Sequence, residues 1–351
     1  MYKKQQVLSL LCVLLFSPLL TFGQLGGEDS FEFLKLATNA RTVGLGGINI
    51  SSGKEDVNMF GSNPALLSDS TDRFFSFAYH DYYAGIGNSS LAYVHDFKKY
   101  GTWGFSMQYL NYGKFDSFDA SGNSLGDFSA NDYAFAITHS KKLGIYTLGM
   151  TAKFVGSSIG AYNASGVFFD IGGTFNHPTK DLTVAMVFKN LGFSLGEFTP
   201  NSEFSMPFDL VLGASFKPAN MPFRFSLTAH NLNRKNTAFN DPRVPDNLVN
   251  GVGVEEEISG TDKFSRHFVI GGEFVLNKNL NLRFGYNFLR RKELSIEART
   301  AMVGFSFGLM VRVKAFEFAY SRSLQHLAGG TNNITLILDT RKLLGNKKVV
   351  E

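Results

Sequence analysis

Two short stretches of the sequence have the residue pattern of a serine nucleophile. Residues 156–160 and 192–196 both read G-x-S-x-G, with Ser158 and Ser194 in the central position. A nucleophile elbow holds that serine on a sharp turn between a strand and a helix, whereas both stretches follow β-type runs and lead into loops. In a chain with 36 glycines, we interpret both matches as coincidence. We predict that the protein is not an enzyme, and a lipase that uses one of these serines is the alternative.

No other pattern predicts a catalytic residue, a metal site or a cofactor. The seven histidines are scattered, and none lies at the short spacing that pairs metal ligands on one element. The stretch 44–47 reads GLGG but lacks the following helix and the acidic residue of a dinucleotide site. A net charge of +4 over 351 residues gives no support to nucleic-acid binding. We therefore predict no catalytic residue, no cofactor, no metal and no nucleic-acid partner.

The elements that would position such residues are strands with two different faces. From about residue 73, apolar and polar residues alternate with period 2, as where Tyr146, Leu148 and Met150 alternate with Thr147 and Gly149. Most of these segments are close to the 9–11 residues that a tilted strand needs to cross a bilayer. We predict about fourteen strands, at roughly 74–80, 89–96, 102–110, 131–139, 145–155, 164–176, 181–189, 208–216, 223–231, 265–276, 279–288, 300–311, 314–321 and 331–339.

The connections between these segments alternate in length along the chain. Long connections at 111–130, 190–207 and 232–264 are followed by short ones at 140–144, 217–222 and 277–278. Transmembrane β-barrels have this rhythm, with short periplasmic turns and long extracellular loops. The barrel also explains why 36 phenylalanines coexist with a mean hydropathy of −0.04, because outward Phe meets lipid while inward Gly, Ser and Thr meet the lumen. We predict an all-β fold: a 14-stranded antiparallel transmembrane β-barrel over residues 73–339, in the cell outer membrane.

Three segments outside the predicted barrel have other roles. Lys3 and Lys4 precede an apolar run, so residues 1–23 have the layout of a signal peptide. Residues 24–72 do not alternate and contain a predicted short helix from Phe31 to Arg41. Such a block is expected to plug the lumen or to lie in the periplasm. The Lys-rich tail 340–351 is predicted to be periplasmic.

The block before the barrel reads FLKLA at 33–37, ARTVGLGG at 40–47, DVN at 56–58 and NPALL at 63–67. With these stretches it resembles the start of the PorV/PorQ family of outer-membrane barrels. Pieces at 188–192 and 315–321 fit the family as well, so the likeness spans most of the mature chain. Members look like fourteen-stranded barrels similar to the FadL fatty-acid transporters. The stretch 36–41 and the modest chain length look more like the PorQ members than the PorV members. The family-motif residues are Ala40, Arg41, Gly44, Gly46, Gly47, Asn63, Pro64 and Ala65.

The resemblance implies a component of the type IX secretion system of Bacteroidota. PorQ-like proteins are thought to hold a PorZ-like surface protein within the complex that attaches secreted cargo to the cell surface. The longest predicted outer loop is the candidate interface, with Arg234, Lys235, Arg243 and Asp246 as candidate partner-binding residues. One alternative is a FadL-like channel for hydrophobic molecules, suggested by the aromatic-rich strands and the sequence 63–65. The other is a PorV-like cargo shuttle.

Overall fold

Fourteen antiparallel strands close into a barrel in the computed structural model, which describes residues 29–199, 205–234, 237, 247–249, 252–254, 259–294, 302–326 and 329–343. The predicted fold class is confirmed. The barrel strands are β1 Phe74–Asp81, β2 Gly87–Asp96, β3 Thr102–Phe118, β4 Ser124–Leu143, β5 Tyr146–Ile159, β6 Tyr162–Asn176, β7 Asp181–Gly196, β8 Asp209–Lys217, β9 Phe223–Ala229, β12 Phe268–Asn277, β13 Leu280–Asn287, β14 Phe305–Val313, β15 Phe316–His326 and β16 Gly329–Asp339. Closure occurs where β1 pairs with β16, with Phe74 opposite Asp339. A separate hairpin pairs β10 Asn247–Val249 with β11 Val252–Val254.

The helices are short and lie outside the strands. They are α1 Ala40–Gly44, α2 Gly260–Ser265, α3 Phe288–Leu294 and α4 Thr340–Leu343. Single 3-10 turns occur at Glu32–Lys35, Val57–Gly61, Pro64–Leu66, Asp69–Thr71, Tyr83–Gly85 and Lys98–Tyr100. Within the described ranges, no helix has the length and apolar character needed to cross a membrane.

The two faces of the wall differ as the period-2 pattern predicts. On β1, Phe75, Phe77 and Tyr79 are exposed on the outside, while Ser76 and Ala78 are buried inside. The same alternation of exposed aromatic and buried small residues recurs around the barrel. The outer coat of Phe, Tyr and Leu therefore faces lipid, and the inner surface faces the lumen.

The predicted twenty-residue connection at 111–130 is wrong. β3 and β4 continue through it, and only 119–123 separates them. A bulge shifts the register between Asn111 and Lys114, and this break in the period hides the outer halves of both strands from a period-2 reading.

The long connections lie together on one part of one rim. β1 begins and β16 ends at the other rim, and all connections there are short: 97–101, 144–145, 177–180, 218–222, 278–279 and 314–315. Outer-membrane barrels turn this rim to the periplasm. At the opposite rim the long connections are 197–208, 230–267 and 288–304. The strands that they join are consecutive in the barrel order, β7 to β9 and then β12 to β14. The long connections therefore leave the barrel from neighbouring strands, while β3 and β4 extend the wall itself on the outer side.

Residues 29–72 lie inside the barrel, and we call them the plug. The predicted helix from Phe31 to Arg41 is wrong in its bounds, because the chain forms a 3-10 turn and then α1 with extended residues between them. The side chain of Asn39 accepts a hydrogen bond from Thr42 N at 2.9 Å and so starts a new helix. The predicted signal peptide and residues 344–351 of the predicted tail lie outside the described residues.

Candidate functional site

The contact between the plug and the inner wall brings the family-motif residues together. Asn63 is completely buried and fixes the fold of the plug around it. Its side-chain nitrogen donates to Ile50 O at 2.9 Å, and its side-chain oxygen accepts from Ala65 N at 2.9 Å. Pro64 occupies the first position of the 3-10 turn that Asn63 caps, where its missing N–H is not needed. The sequence 63–65 is thus a compact turn that presents its backbone to the wall.

Glycines on the wall allow the plug backbone to approach. A Cβ on Gly149 would lie 2.4 Å from the carbonyl carbon of Pro64, and a Cβ on Gly285 would lie 2.1 Å from Gly46 N. Real Cβ atoms are not found so close to backbone, so any larger residue would displace the plug. Gly46 has a φ of 95°, a conformation that favours glycine. Further wall glycines in close contact with the plug are Gly104, Gly172, Gly213, Gly271 and Gly308.

A buried cluster of charges joins α1 to the wall. Arg41 is 3% exposed, and its Nη2 donates to Glu273 Oε2 on β12 at 2.8 Å. The same carboxylate accepts from Arg283 Nε at 3.3 Å and Arg224 Nη1 at 3.2 Å. Arg41 Nη1 also donates to Glu55 Oε1 within the plug at 3.1 Å. One wall carboxylate therefore binds one plug guanidinium and two wall guanidinium groups.

The plug members of this cluster remain charged. Burial alone would lower the pKa of Arg41, but the carboxylates of Glu273 and Glu55 raise it above its ordinary value. Burial alone would raise the pKa of Glu55, but Arg41 and Arg224 lower it to about 2. Removing one partner of a buried pair leaves an uncompensated charge, which typically costs about 3–5 kcal/mol. The cluster therefore holds the plug in place.

The start of the plug is tied to the outer loops. Asp29 accepts from Lys35 Nζ at 2.6 Å, from Ser205 Oγ at 2.8 Å and from Arg234 Nη2. Burial would raise the pKa of Asp29, but Lys35, Ser205 and Arg234 together lower it. The backbone adds a bond from Ser30 N to Ser205 O at 2.8 Å. The plug thus contacts the connections after β7 and β9.

Of the candidate partner-binding residues, only Arg234 lies within the described part of the chain. Its guanidinium binds Asp29, and its side chain is 25% exposed. Arg234 therefore has a structural contact inside the protein. Lys235, Arg243 and Asp246 lie outside the described residues.

The plug separates two cavities in the lumen. The cavity on the outer side has a volume of about 260 Å³, and Phe60, Gly61 and Ser62 form part of its lining. The cavity on the periplasmic side is about 940 Å³ and is lined by Ala65 and Leu66. The buried turn around 60–67 lies between them and closes this part of the barrel.

The two G-x-S-x-G stretches do not form nucleophile elbows. Ser158 lies within β5 and Ser194 within β7, so neither serine is at a strand-to-helix turn. Ser194 Oγ donates to the carbonyl oxygens of Ser165 and Gly196, at 3.3 and 3.0 Å. Among the described residues, no group of three His, Cys, Asp or Glu side chains could hold a metal ion.

Sequence reasoning did not find Glu273 and the wall glycines. Glu273 and Arg283 lie on the inward phase of adjacent strands, directly opposite each other. An acidic and a basic residue at inward-facing positions in the middle of neighbouring strands would have indicated such a pair, because these positions face neither lipid nor bulk water. Their pairing with α1 joins positions 232 residues apart, which no local pattern contains.

Comparisons with known proteins agree with the fold. No protein-family model and no curated protein matches the chain. A deletion mutant of TodX, named a monoaromatic hydrocarbon channel, has a TM-score of 0.51 at 12% identity, covering 86% of this chain and 97% of that one. A Pseudomonas aeruginosa FadL homologue has a TM-score of 0.44 at 11% identity, covering 86% and 98%. Omp33 of Acinetobacter baumannii has a TM-score of 0.35 at 8% identity, covering 76% and 95%. At 12% identity the likeness to the TodX mutant shows the fold alone, and the protein is an outer-membrane β-barrel.

Proposed function

We propose that this protein is a plugged barrel that anchors a surface protein at its outer rim. The observation that carries the proposal is the succession of long outer connections, 197–208, 230–267 and 288–304, over neighbouring strands. Long loops on a rigid scaffold often carry binding. A barrel wall fixed in lipid gives these loops a stable base, so their side of the rim forms the platform.

The plug supports an anchoring role over a role in passage. Its turn at 60–67 lies between the two luminal cavities, and Arg41 holds it to the wall through a buried carboxylate. A protein that only positions a partner has no need of an open lumen. The tie from Asp29 to Ser205 and Arg234 also stiffens the base of two of the three long connections.

The resemblance to PorQ-like proteins supports a more specific role. We propose that the anchored protein is PorZ-like and that the barrel belongs to the attachment complex of the type IX secretion system. The residues that carry the resemblance, such as Arg41 and Asn63, are the ones that dock the plug. They preserve the platform and do not themselves contact the partner.

Purification in mild detergent from the native membrane tests this function. We expect a surface protein and other secretion components to co-purify with the full chain. A variant with 238–246 replaced by a short Gly-Ser linker should lose the surface protein, while the same replacement of the turn 119–123 should retain it. Repeated absence of any surface or secretion protein from the full-chain sample would contradict the proposal. Recovery of secreted cargo without a surface protein would favour a cargo shuttle instead.

A second candidate function is a channel for hydrophobic molecules. The outer cavity of about 260 Å³ favours it, and so does the name of the TodX mutant that shares the fold. That name supports this candidate more directly than the anchor. Uptake of a monoaromatic hydrocarbon by cells with and without the protein separates the two functions, because an anchor leaves uptake unchanged.

A further inference from the structure

The outer cavity contains polar atoms that the protein itself leaves without partners. His230, directly after β9, is 2% exposed, and its Nε2 has no hydrogen-bond partner in the described part of the chain. Asn49 of the plug is 1% exposed, and its Nδ2 also has none. Both residues line the outer cavity. Buried polar atoms in proteins are normally hydrogen-bonded, so these two atoms are available to a polar molecule in the cavity.

The orientation of Asn49 shows which chemistry the occupant needs. Its side-chain oxygen accepts from both Ser52 N at 3.1 Å and Ser52 Oγ at 2.9 Å. These bonds fix the amide so that its nitrogen is the free atom. An amide nitrogen only donates, so the occupant must offer an acceptor.

Three lysines line the cavity, and Lys35 is already paired with Asp29 and Glu32. The other two have opposite surroundings. Lys153 Nζ binds Asp170 Oδ2 at 2.6 Å and Asn190 Oδ1 at 2.8 Å, so its charge is compensated. Lys189 Nζ has no hydrogen bond and no ion pair with any described residue. Asp209 lies opposite Lys189 in the ladder, but its carboxylate accepts from Asn231 N at 2.6 Å and makes no ion pair with Lys189. Lys189 therefore offers a charged donor that is not in use.

Lys189 and His230 belong to one end of the cavity. Lys189 on β7 faces Asp209 on β8, and Asp209 binds the backbone of Asn231, the residue after His230. Arg290 from α3 also lines the cavity and covers Gly47 of the plug. Glu293 is the other acid of the lining, and within the described part of the chain neither acid forms a salt bridge with Lys189 or Arg290.

The rest of the lining is apolar or small. It includes Leu36, Ile48, Met107, Ala134 and Val211. A volume of about 260 Å³ is close to the lower end of the roughly 300–1,000 Å³ of small-molecule sites. The cavity thus combines one donor-rich end with an apolar remainder.

We propose that the outer cavity binds a small molecule with an anionic oxygen group, a carboxylate or a phosphate, which Lys189 and His230 hold. An anionic group supplies the acceptor that Asn49 Nδ2 lacks, the Nε2–H tautomer of His230 donates to the same group, and the group compensates the charge of Lys189. A short apolar chain on the same molecule packs along the plug. This inference goes beyond the anchoring function, and it does not depend on the choice between an anchor and a channel.

Calorimetric titration of the purified full chain in dodecyl maltoside tests the proposal with three probes. Hexanoate and inorganic phosphate test whether the site prefers a carboxylate or a phosphate. Hexanol is the control, because it has the same chain length as hexanoate but no charge. We expect one of the two anions to bind, and hexanol to bind at least tenfold more weakly than hexanoate if hexanoate is the ligand. Binding of hexanol as tight as that of a bound hexanoate, or no binding of either anion at 10 mM, would overturn the proposal.

Matched lysine variants assign the site. Lys189→Met removes a side chain without a partner, so the barrel should fold normally. Loss of a charge-assisted hydrogen bond, about 1.5–3 kcal/mol, corresponds to roughly tenfold to hundredfold weaker anion binding. Lys54→Met on the periplasmic side of the plug is the control and should stay within twofold of wild type. Wild-type affinity in the Lys189→Met variant would refute the assignment. Should that variant not fold, His230→Gln carries the same expectation.

Discussion

Replacing Glu273 by Gln should release the plug without opening the barrel wall. The carboxylate contacts Arg41, Arg224 and Arg283 at 2.8, 3.2 and 3.3 Å. At an effective dielectric constant near 20, each contact is worth about 5 kcal/mol of Coulomb energy before desolvation. The net cost of breaking such a buried pair is about 3–5 kcal/mol. Since 1.4 kcal/mol is a factor of ten, the population with an undocked plug should rise roughly a hundredfold to a few thousandfold.

Labelling of an introduced, buried cysteine measures this population. Thr42 on α1 is 3% exposed, and the only native cysteine, Cys12, lies in the predicted signal peptide. In a Thr42→Cys background, a maleimide should therefore react only when the plug undocks. The reaction rate should rise with Glu273→Gln by the same factor, and planar-bilayer recordings should show more frequent openings.

A second wall carboxylate provides the matched control. Asp132 on β4 is 6% exposed, and it accepts a hydrogen bond from Tyr112 Oη on β3 at 2.6 Å. In the same Thr42→Cys background, Asp132→Asn should lower the stability of the barrel but leave the maleimide labelling rate close to that of the parent. Unchanged labelling in Glu273→Gln would refute the conclusion that this carboxylate holds the plug. Equal increases in both variants would show a general loosening of the wall.

Three other changes test the contacts of the plug. Gly149→Ala should lower the unfolding midpoint, because overpacking against the plug costs about 1–3 kcal/mol. Gly272→Ala is the control, since a Cβ there meets nothing within 4 Å, and it should leave the midpoint unchanged. Equal midpoints for the two variants would contradict the close approach of the plug backbone to Gly149. Glu55 has a folded-state pKa of about 2 against an ordinary value of 4.5, so its contribution to the stability of the fold should be complete above pH 4.5 and lost as the pH falls toward 2. Thermal melts of Glu55→Gln at several pH values should lack this contribution. A pH profile of the melting temperature identical to that of the wild type would count against the ion pairs. Asp29→Asn should speed hydrogen exchange of the Ser30 amide roughly tenfold or more, with the amides of α1 as the control; wild-type exchange at Ser30 would show that the carboxylate does not order this tie.

Local patterns were sufficient for the strands because lipid and lumen impose opposite chemistry on successive residues. Phe75 and Phe77 face lipid and Ser76 faces inward, as period 2 predicts. The pattern failed where a bulge at 111–114 broke the period, and the outer halves of β3 and β4 were assigned to a loop. The helix in the plug was misplaced because a side-chain cap at Asn39 starts α1, while nothing in the apolar spacing of 31–41 marks that residue.

The sequence by itself determined that the chain forms a fourteen-stranded barrel in the outer membrane, and it singled out the residues that resemble a known family. It also predicted the long connections after β7 and β9, since turn and loop residues interrupt the alternation there, but the one that it placed at 111–130 is wrong. Only the tertiary structure decided what the family-motif residues do. Arg41 meets Glu273, and Gly46 meets Gly285, across more than two hundred residues of chain. A buried charge or a backbone contact depends on which positions the closed barrel brings together, and no spacing along the chain records that.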